Sequence, residues 1–204
     1  MKLSRRVTAI AGIAAAMALP VASQAQATFN YYTTGQFGGA CSGAEAVTVQ
    51  CGPSTTGGVF LSFTGEPAVT AGNYFSPSNL VFGHFTPGGF GSQSVPAGVT
   101  FTLFVHQTDP SLGNAATTGS LTGTLTETTA GGQSSLVWTP DSYAFSIGQV
   151  NYSITPNVPV AIGFQGNTSI NGYGQSTVPE PSSMALLGTG LIGLVPMIRR
   201  KRQK

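Results

Sequence analysis

The run Val99-Thr100-Phe101-Thr102-Leu103-Phe104-Val105-His106 (VTFTLFVH, residues 99–106) decides how the chain folds. Val99, Phe101, Leu103 and Val105 recur at every second position against Thr100, Thr102 and His106. That is the period of a strand with one face buried, in the β-branched and aromatic residues that suit a pleated surface. Leu121, Gly123 and Leu125 alternate with Thr122, Thr124 and Thr126 still more cleanly, and Phe29, Tyr31 and Thr33 do the same near the amino end. Further short runs lie at Ala46 to Gln50, Val59 to Thr64, Leu80 to Phe85, Leu136 to Thr139, Tyr143 to Ile147, Val150 to Ile154 and Val160 to Phe164, each bounded by Gly, Pro, Asn or Asp.

No segment keeps helical spacing over two turns, so these runs predict about ten short strands. Pro140-Asp141 and Ile147-Gly148-Gln149 read as tight connections, which makes Leu121 to Phe164 a meander of antiparallel hairpins. Many short strands with frequent turns predict an all-β fold, a two-sheet antiparallel β-sandwich in preference to a closed barrel. Phe60, Phe82, Phe101, Phe104, Trp138, Phe145 and Phe164 are its expected core.

The charge is distributed unevenly. All eight Lys and Arg of the 204 residues lie at the ends: Lys2, Arg5 and Arg6, then Arg199, Arg200, Lys201, Arg202 and Lys204. Residues 28 to 177 carry five acids and no Lys or Arg, a formal charge of −5. A phosphate-binding surface needs cations that release counterions, so the interior of the chain excludes nucleic acid as a partner. Charged side chains also discourage edge strands from pairing, and here the five acids, Gly-rich loops and Pro87, Pro96 and Pro159 have to serve instead.

Met1 to Arg6 is a short positive region, Val7 to Leu19 an apolar run, and Ala25-Gln26-Ala27 an A-x-A cleavage pattern. Together they read as a secretory signal peptide, residues 1–27, released before Thr28. Ser4-Arg5-Arg6 lacks the bulky apolar residues that follow a twin-arginine pair, which favours the general secretory route. Export gives Cys41 and Cys51, the only cysteines, a structural meaning: in an oxidising compartment an even count predicts a disulfide. Closing so short a loop stabilises by about 2 to 3 kcal/mol. A metal site would need more ligands nearby, and only Glu45 lies inside the loop; neither metal nor cofactor is expected.

Chemistry is sparse. His84 and His106 are the only histidines, and His106 with Asp109 is the one pairing that reads as a base and its orienting carboxylate. No G-x-S-x-G turn accompanies it, and Glu45, Glu66, Asp109, Glu127 and Asp141 are scattered one to a segment rather than paired for hydrolysis. Tyr31, Tyr32, Tyr74, Tyr143, Tyr152, Tyr173 and Trp138 are candidate platforms for sugar rings, though a sandwich buries most such residues.

The tail reads VPEPSSMALLGTGLIGLVPMIRRKRQK from Val178. Gly188-Thr189-Gly190-Leu191-Ile192-Gly193 spells the dinucleotide fingerprint but lacks the strand and βαβ unit that give it meaning. Ser182 to Ile198 is uncharged; as a helix its seventeen residues reach about 25 Å, near the short limit for crossing a bilayer. Arg199, Arg200, Lys201 and Arg202 then stop transfer on the cytoplasmic side. Val178-Pro179-Glu180-Pro181, a Gly-containing apolar helix and a basic cluster, in this order, resemble the PEP-CTERM sorting signal of Gram-negative bacteria that make exopolysaccharide. The resemblance implies recognition by an exosortase, a membrane-embedded cysteine protease-transpeptidase, cleavage near Val178 to Pro181, and delivery of the domain to the cell surface. It covers the ends alone and transfers no catalytic residue to the body.

The chain therefore divides into a signal peptide (1–27), a secreted sandwich domain (28–177) and a sorting tail (178–204), with a signal helix before the domain and a transmembrane helix over 182–198 after it. The expected protein is not an enzyme. It is tethered to the inner membrane as a precursor, meets the secretion machinery and exosortase transiently, and ends at the envelope surface or outside the cell, in the exopolysaccharide matrix or in adhesion. The alternative is a carbohydrate-binding module using exposed aromatics; a glycan-active hydrolase ranks third.

Overall fold

A computed structural model of the protein describes residues 28–52, 58–72, 77–89, 91–127, 133–163 and 166–176. In chain order the strands are β1 (Thr28–Gly38), β2 (Thr48–Cys51), β3 (Phe60–Thr64), β4 (Val69–Gly72), β5 (Ser78–Gly88), β6 (Gly91–Ser94), β7 (Thr100–Asp109) and β8 (Gly113–Thr122). There follow β9 (Thr124–Glu127), β10 (Gln133–Ser134), β11 (Leu136–Pro140), β12 (Ala144–Ile147), β13 (Val150–Ile154), β14 (Val160–Ile162) and β15 (Thr168–Ser176). One 3₁₀ turn, Gly39–Cys41, follows β1. Two six-stranded antiparallel sheets form the sandwich: β14-β11-β8-β7-β1-β4, called sheet A, and β12-β13-β15-β5-β3-β2, called sheet B. A three-stranded ribbon, β10-β9-β6, completes it.

The all-β sandwich agrees with the alternation in the sequence. The opening run is β7, whose Phe101, Leu103, Val105 and Gln107 point inward, while Thr102, Phe104 and His106 lie on the outer side. Phe104 is consequently half-buried outside the core, as is Phe60 at the start of β3. Phe82, Phe101 and Trp138 are fully buried, Phe145 packs at the core margin, and Phe164 lies outside the described residues. Phe101 is the centre of the core: Phe63 and Phe85 of sheet B approach its ring at 4.7 and 4.8 Å, and Trp138 meets it edge-on at 5.3 Å. Such tilted and edge-to-face pairs add to the free energy of apolar burial.

Among the described residues, polar side chains that cross this interior are hydrogen-bonded, as burial favours, while Asn30 Oδ1 is buried without a partner. Thr33 donates to the Phe82 carbonyl across the sandwich, Tyr31 to the Val81 carbonyl, and Trp138 Nε1 to the Phe101 carbonyl. Tyr152 donates to Gln107 Oε1, and Gln107 donates in turn to the Ser111 carbonyl. Three of these bonds join sheet A to sheet B.

Two expectations change, and two strands go unread. LTGTLT is not one strand: Gly123, at φ 119°, ends β8 and starts β9, so Leu121 and Leu125 are buried from two different sheets. Only a glycine takes that backbone angle readily. Leu121 to Phe164 is not a meander either: β11 pairs with β8 and β14 in sheet A, and Pro140-Asp141 carries the chain over to sheet B, where Gly148-Gln149 does turn a hairpin between β12 and β13. Finally, β8 and β15 are long strands that the apolar period misses, because their inward positions hold Ala115, Thr117, Gly119, Gly172 and Gly174. Small inward residues erase the hydrophobic beat while keeping the pleat.

The signal-peptide residues Ala25 and Ala27, the motif Val178, Pro179, Glu180 and Pro181, the helix expected over 182–198 and the cluster Arg199 to Arg202 lie outside the described residues. Among the described residues no helix is long and apolar enough to cross a membrane.

Candidate functional site

Two clusters on the outer faces of the sandwich compete for a role. On sheet A, His106 of β7 stands beside Tyr32 of β1 because the register pairs these two residues, and their rings stack at 4.5 Å with 7° between planes. The carboxylate that meets His106 is Glu45, not Asp109: Glu45 Oε1 lies 2.8 Å from His106 Nε2. Asp109 sits three residues further along, opposite Asn30 at the end of the β1–β7 pairing.

Glu45 reaches this place because its loop is tied down twice. Cys41 and Cys51 form a disulfide with Cα atoms 5.1 Å apart, within the range such bridges span. Between them, Ala46 exchanges two backbone hydrogen bonds with Gly35 of β1, and Gln36 Nε2 donates to the Gly43 carbonyl. The loop thus lies along the edge of β1 and brings Glu45 over Thr34 and His106.

The proton inventory decides what this cluster can do. Thr34 has one hydroxyl proton and donates it to Glu45 Oε1. His106 Nε2, 2.9 Å from Thr34 Oγ1 and 2.8 Å from Glu45 Oε1, must therefore carry the donor hydrogen shared between both oxygens. A nucleophilic triad needs the hydroxyl on one ring nitrogen and the carboxylate on the other. Here both compete for the same nitrogen, and Thr34 is only 7 % exposed. The arrangement satisfies polar groups and fastens a loop; it does not activate an oxygen.

His84 on β5 lies in register between Thr64 and Ser169, and the backbone of Glu66 bonds Thr33. Among the described residues no group of three or more His, Cys, Asp or Glu is placed to hold a metal ion. A small cavity of about 150 Å³ beside the disulfide is lined by aliphatic residues, Val59, Leu61, Val99 and Leu121 among them.

The second cluster is a shallow groove of about 770 Å³ on the outer face of sheet B, between Pro77, β12, β13 and β15. Tyr173 projects there from β15, 40 % exposed, with Ser146, Asn151, Ser153 and Gln175 around it. Of the other candidate aromatics, Tyr31, Tyr152 and Trp138 are buried, Tyr152 at the floor of this groove, Tyr143 packs at the core margin, Tyr32 covers His106, and Tyr74 lies outside the described residues. Burial pushes the Tyr31 phenol up to about 12.

Residues 177–202 match the model of the PEP-CTERM protein-sorting motif. The PEP-CTERM match spans the Pro-Glu-Pro residues, the uncharged stretch and the basic cluster that follows, and it marks the chain as an exported protein sorted and processed at the membrane by an exosortase. No curated protein and no solved structure matches the chain. The PEP-CTERM motif accounts for its tail, and the role of the domain is read from its own side chains.

Proposed function

We propose that the protein is a non-enzymatic surface component, whose domain, residues 28–177, is freed of its signal peptide after Ala27 and of its tail between Val178 and Pro181, and then works in the exopolysaccharide matrix or in adhesion. The match at 177–202 carries this reading, because it joins an address for the cell surface to a domain without a single Lys or Arg. The closed geometry of Thr34, Glu45 and His106 supports the non-enzymatic part, since the histidine–carboxylate pair seen among the described residues is committed to holding a loop. In the precursor, Arg199, Arg200, Lys201 and Arg202 hold the uncharged segment in the membrane until exosortase cuts.

Intact mass spectrometry of the protein recovered from the surface or the matrix tests the proposal. The expected species begins at Thr28, ends within the Pro-Glu-Pro region and is two daltons lighter than its reduced form. Recovery of a chain that still carries Lys204 contradicts exosortase processing and makes the tail a lasting anchor. The second reading, a domain that itself binds carbohydrate through an exposed aromatic, is favoured by one observation, the placement of Tyr173.

A further inference from the structure

Strand β15 distributes its side chains against the usual rule. Asn171-Gly172-Tyr173-Gly174-Gln175 turns its two glycines inward and its tyrosine out to solvent. Burying a large apolar side chain is worth about 1.5 to 3 kcal/mol, so folding alone would place the ring on the other side. The inward side has no room: a Cβ at Gly174 would lie 2.4 Å from the Phe29 ring, and one at Gly172 2.0 Å from the Ser153 carbonyl oxygen. The core packs directly on the β15 backbone, and Tyr173 contributes nothing to it.

The surroundings of Tyr173 are equally specific. The strand registers set Ala144, Ser153, Tyr173 and Asn79 in one row across sheet B, and Ser146, Asn151 and Gln175 in the next. Ser146 donates to Asn151 Oδ1 at 2.7 Å, which leaves the Asn151 amide nitrogen as the group offered to a ligand. Among the described residues no charged side chain lines the groove. Neighbouring strands are ~4.8 Å apart, so each row repeats polar groups at a spacing comparable to one pyranose ring along an extended chain.

These features select among ligands. Nucleic acid needs cations, and the domain has none. A protein partner needs a desolvated apolar centre, whereas among the described residues Tyr173 and Val81 are the large apolar side chains exposed on this face, with Phe145 half-buried at the groove. A polyanionic glycan would meet a domain of charge −5. A neutral sugar chain fits: its C–H faces lie on an aromatic ring and its hydroxyls exchange hydrogen bonds with amides and hydroxyls. We propose that the outer face of β12, β13, β15 and β5 binds a neutral polysaccharide, with Tyr173 as the stacking platform and Asn151, Ser153 and Gln175 as hydrogen-bonding partners. The assignment rests on the reading of the protein as an exported matrix component, which sets the polymers it meets.

Affinity electrophoresis of the exported protein recovered from its cells tests this, in native gels cast with dextran, laminarin, hydroxyethylcellulose or galactan, and with alginate as the anionic probe. The protein should be retarded in at least one neutral gel and not by alginate. Tyr173→Ala should weaken that retardation about tenfold or more, while Tyr173→Phe stays within about threefold. Asn151→Ala supplies a second loss should Tyr173→Ala fail to accumulate, and Glu45→Gln, on the opposite sheet, should bind like the parent. Equal retardation of Tyr173→Ala and parent, retardation by alginate alone, or none in any gel overturns the assignment. Absence of the protein from the surface and matrix fractions overturns the matrix reading instead, and leaves gel retardation as an independent result.

Discussion

The two outer faces of the sandwich are built from similar residues and do opposite things with them. On sheet A the prominent cluster turns on itself: Thr34 and His106 Nε2 both serve Glu45 Oε1, and Tyr32 lies flat on the imidazole. On sheet B, Ser146 and Asn151 satisfy each other in part, and Tyr173, Ser153 and Gln175 face water around a groove. A hydrogen bond already made inside the protein adds little to a ligand, while unused donors beside an aromatic ring offer both orientation and area. His106, which draws the eye in the sequence, is thus engaged with Glu45 in fastening a loop, and the uncharged face is the one that leaves polar groups open to a ligand.

The largest effect expected from breaking this comparison comes from beneath the open face. Gly172→Val puts a side chain against the Ser153 carbonyl and the Phe82 ring, and a backbone oxygen cannot rotate away. Overpacking of this kind costs about 3 kcal/mol or more, which at roughly 2 to 4 °C per kcal/mol lowers the Tm of a domain this size by several degrees. Calorimetry should show that loss together with loss of glycan retardation, because β15 must shift to make room. An unchanged Tm would mean that the glycines are not what holds the tyrosine outward.

How much of this was legible beforehand follows from the same residues. The fold class was readable wherever a large residue marks every second position, as in Phe101, Leu103 and Val105. It was unreadable in β8 and β15, where glycine, alanine and threonine face the core and no beat survives. Tyr173 appeared only as one tyrosine among several, yet Gly-Tyr-Gly on a strand is itself a signal, since glycines flanking an aromatic imply that the ring points away from a crowded interior. Glu45 against His106 was hidden for a different reason. Sixty-one residues separate the two, and only the disulfide loop and the β1–β7 register bring them together. The sorting tail was legible because its information is linear, read by an enzyme in chain order.

A smaller effect sharpens the comparison by probing the interior that both faces share. Tyr31 on sheet A donates to the Val81 carbonyl on sheet B, and burial, with the Glu66 charge adding to it, raises its phenol from the ordinary 10 to about 12. The unfolded chain gives up this proton first as pH rises, so the fold binds more protons than the unfolded state between about pH 10 and 12. Its contribution is complete below about pH 10 and falls by about 2 to 3 kcal/mol by about pH 12. Urea midpoints measured from pH 8 to 12 should drop for the parent and much less for Tyr31→Phe, which starts lower by about 1 kcal/mol for the bond to Val81. Parallel curves for the two proteins would show that the alkaline loss arises elsewhere.

The smallest effect belongs to the closed face, and its smallness is the point. Glu45 is 37 % and His106 18 % exposed, so water screens their interaction and the amide of Glu45→Gln still accepts from Thr34. The substitution should cost less than about 1 kcal/mol, with no change in glycan retardation or in export. A cluster assembled for catalysis would respond in the opposite way, tolerating the change in stability while losing its activity outright, because the charge that steadies a developing imidazolium would be gone. Denaturant titration and gel retardation on the same preparation separate the two outcomes. Lost function at unchanged stability would move the working site from sheet B to sheet A.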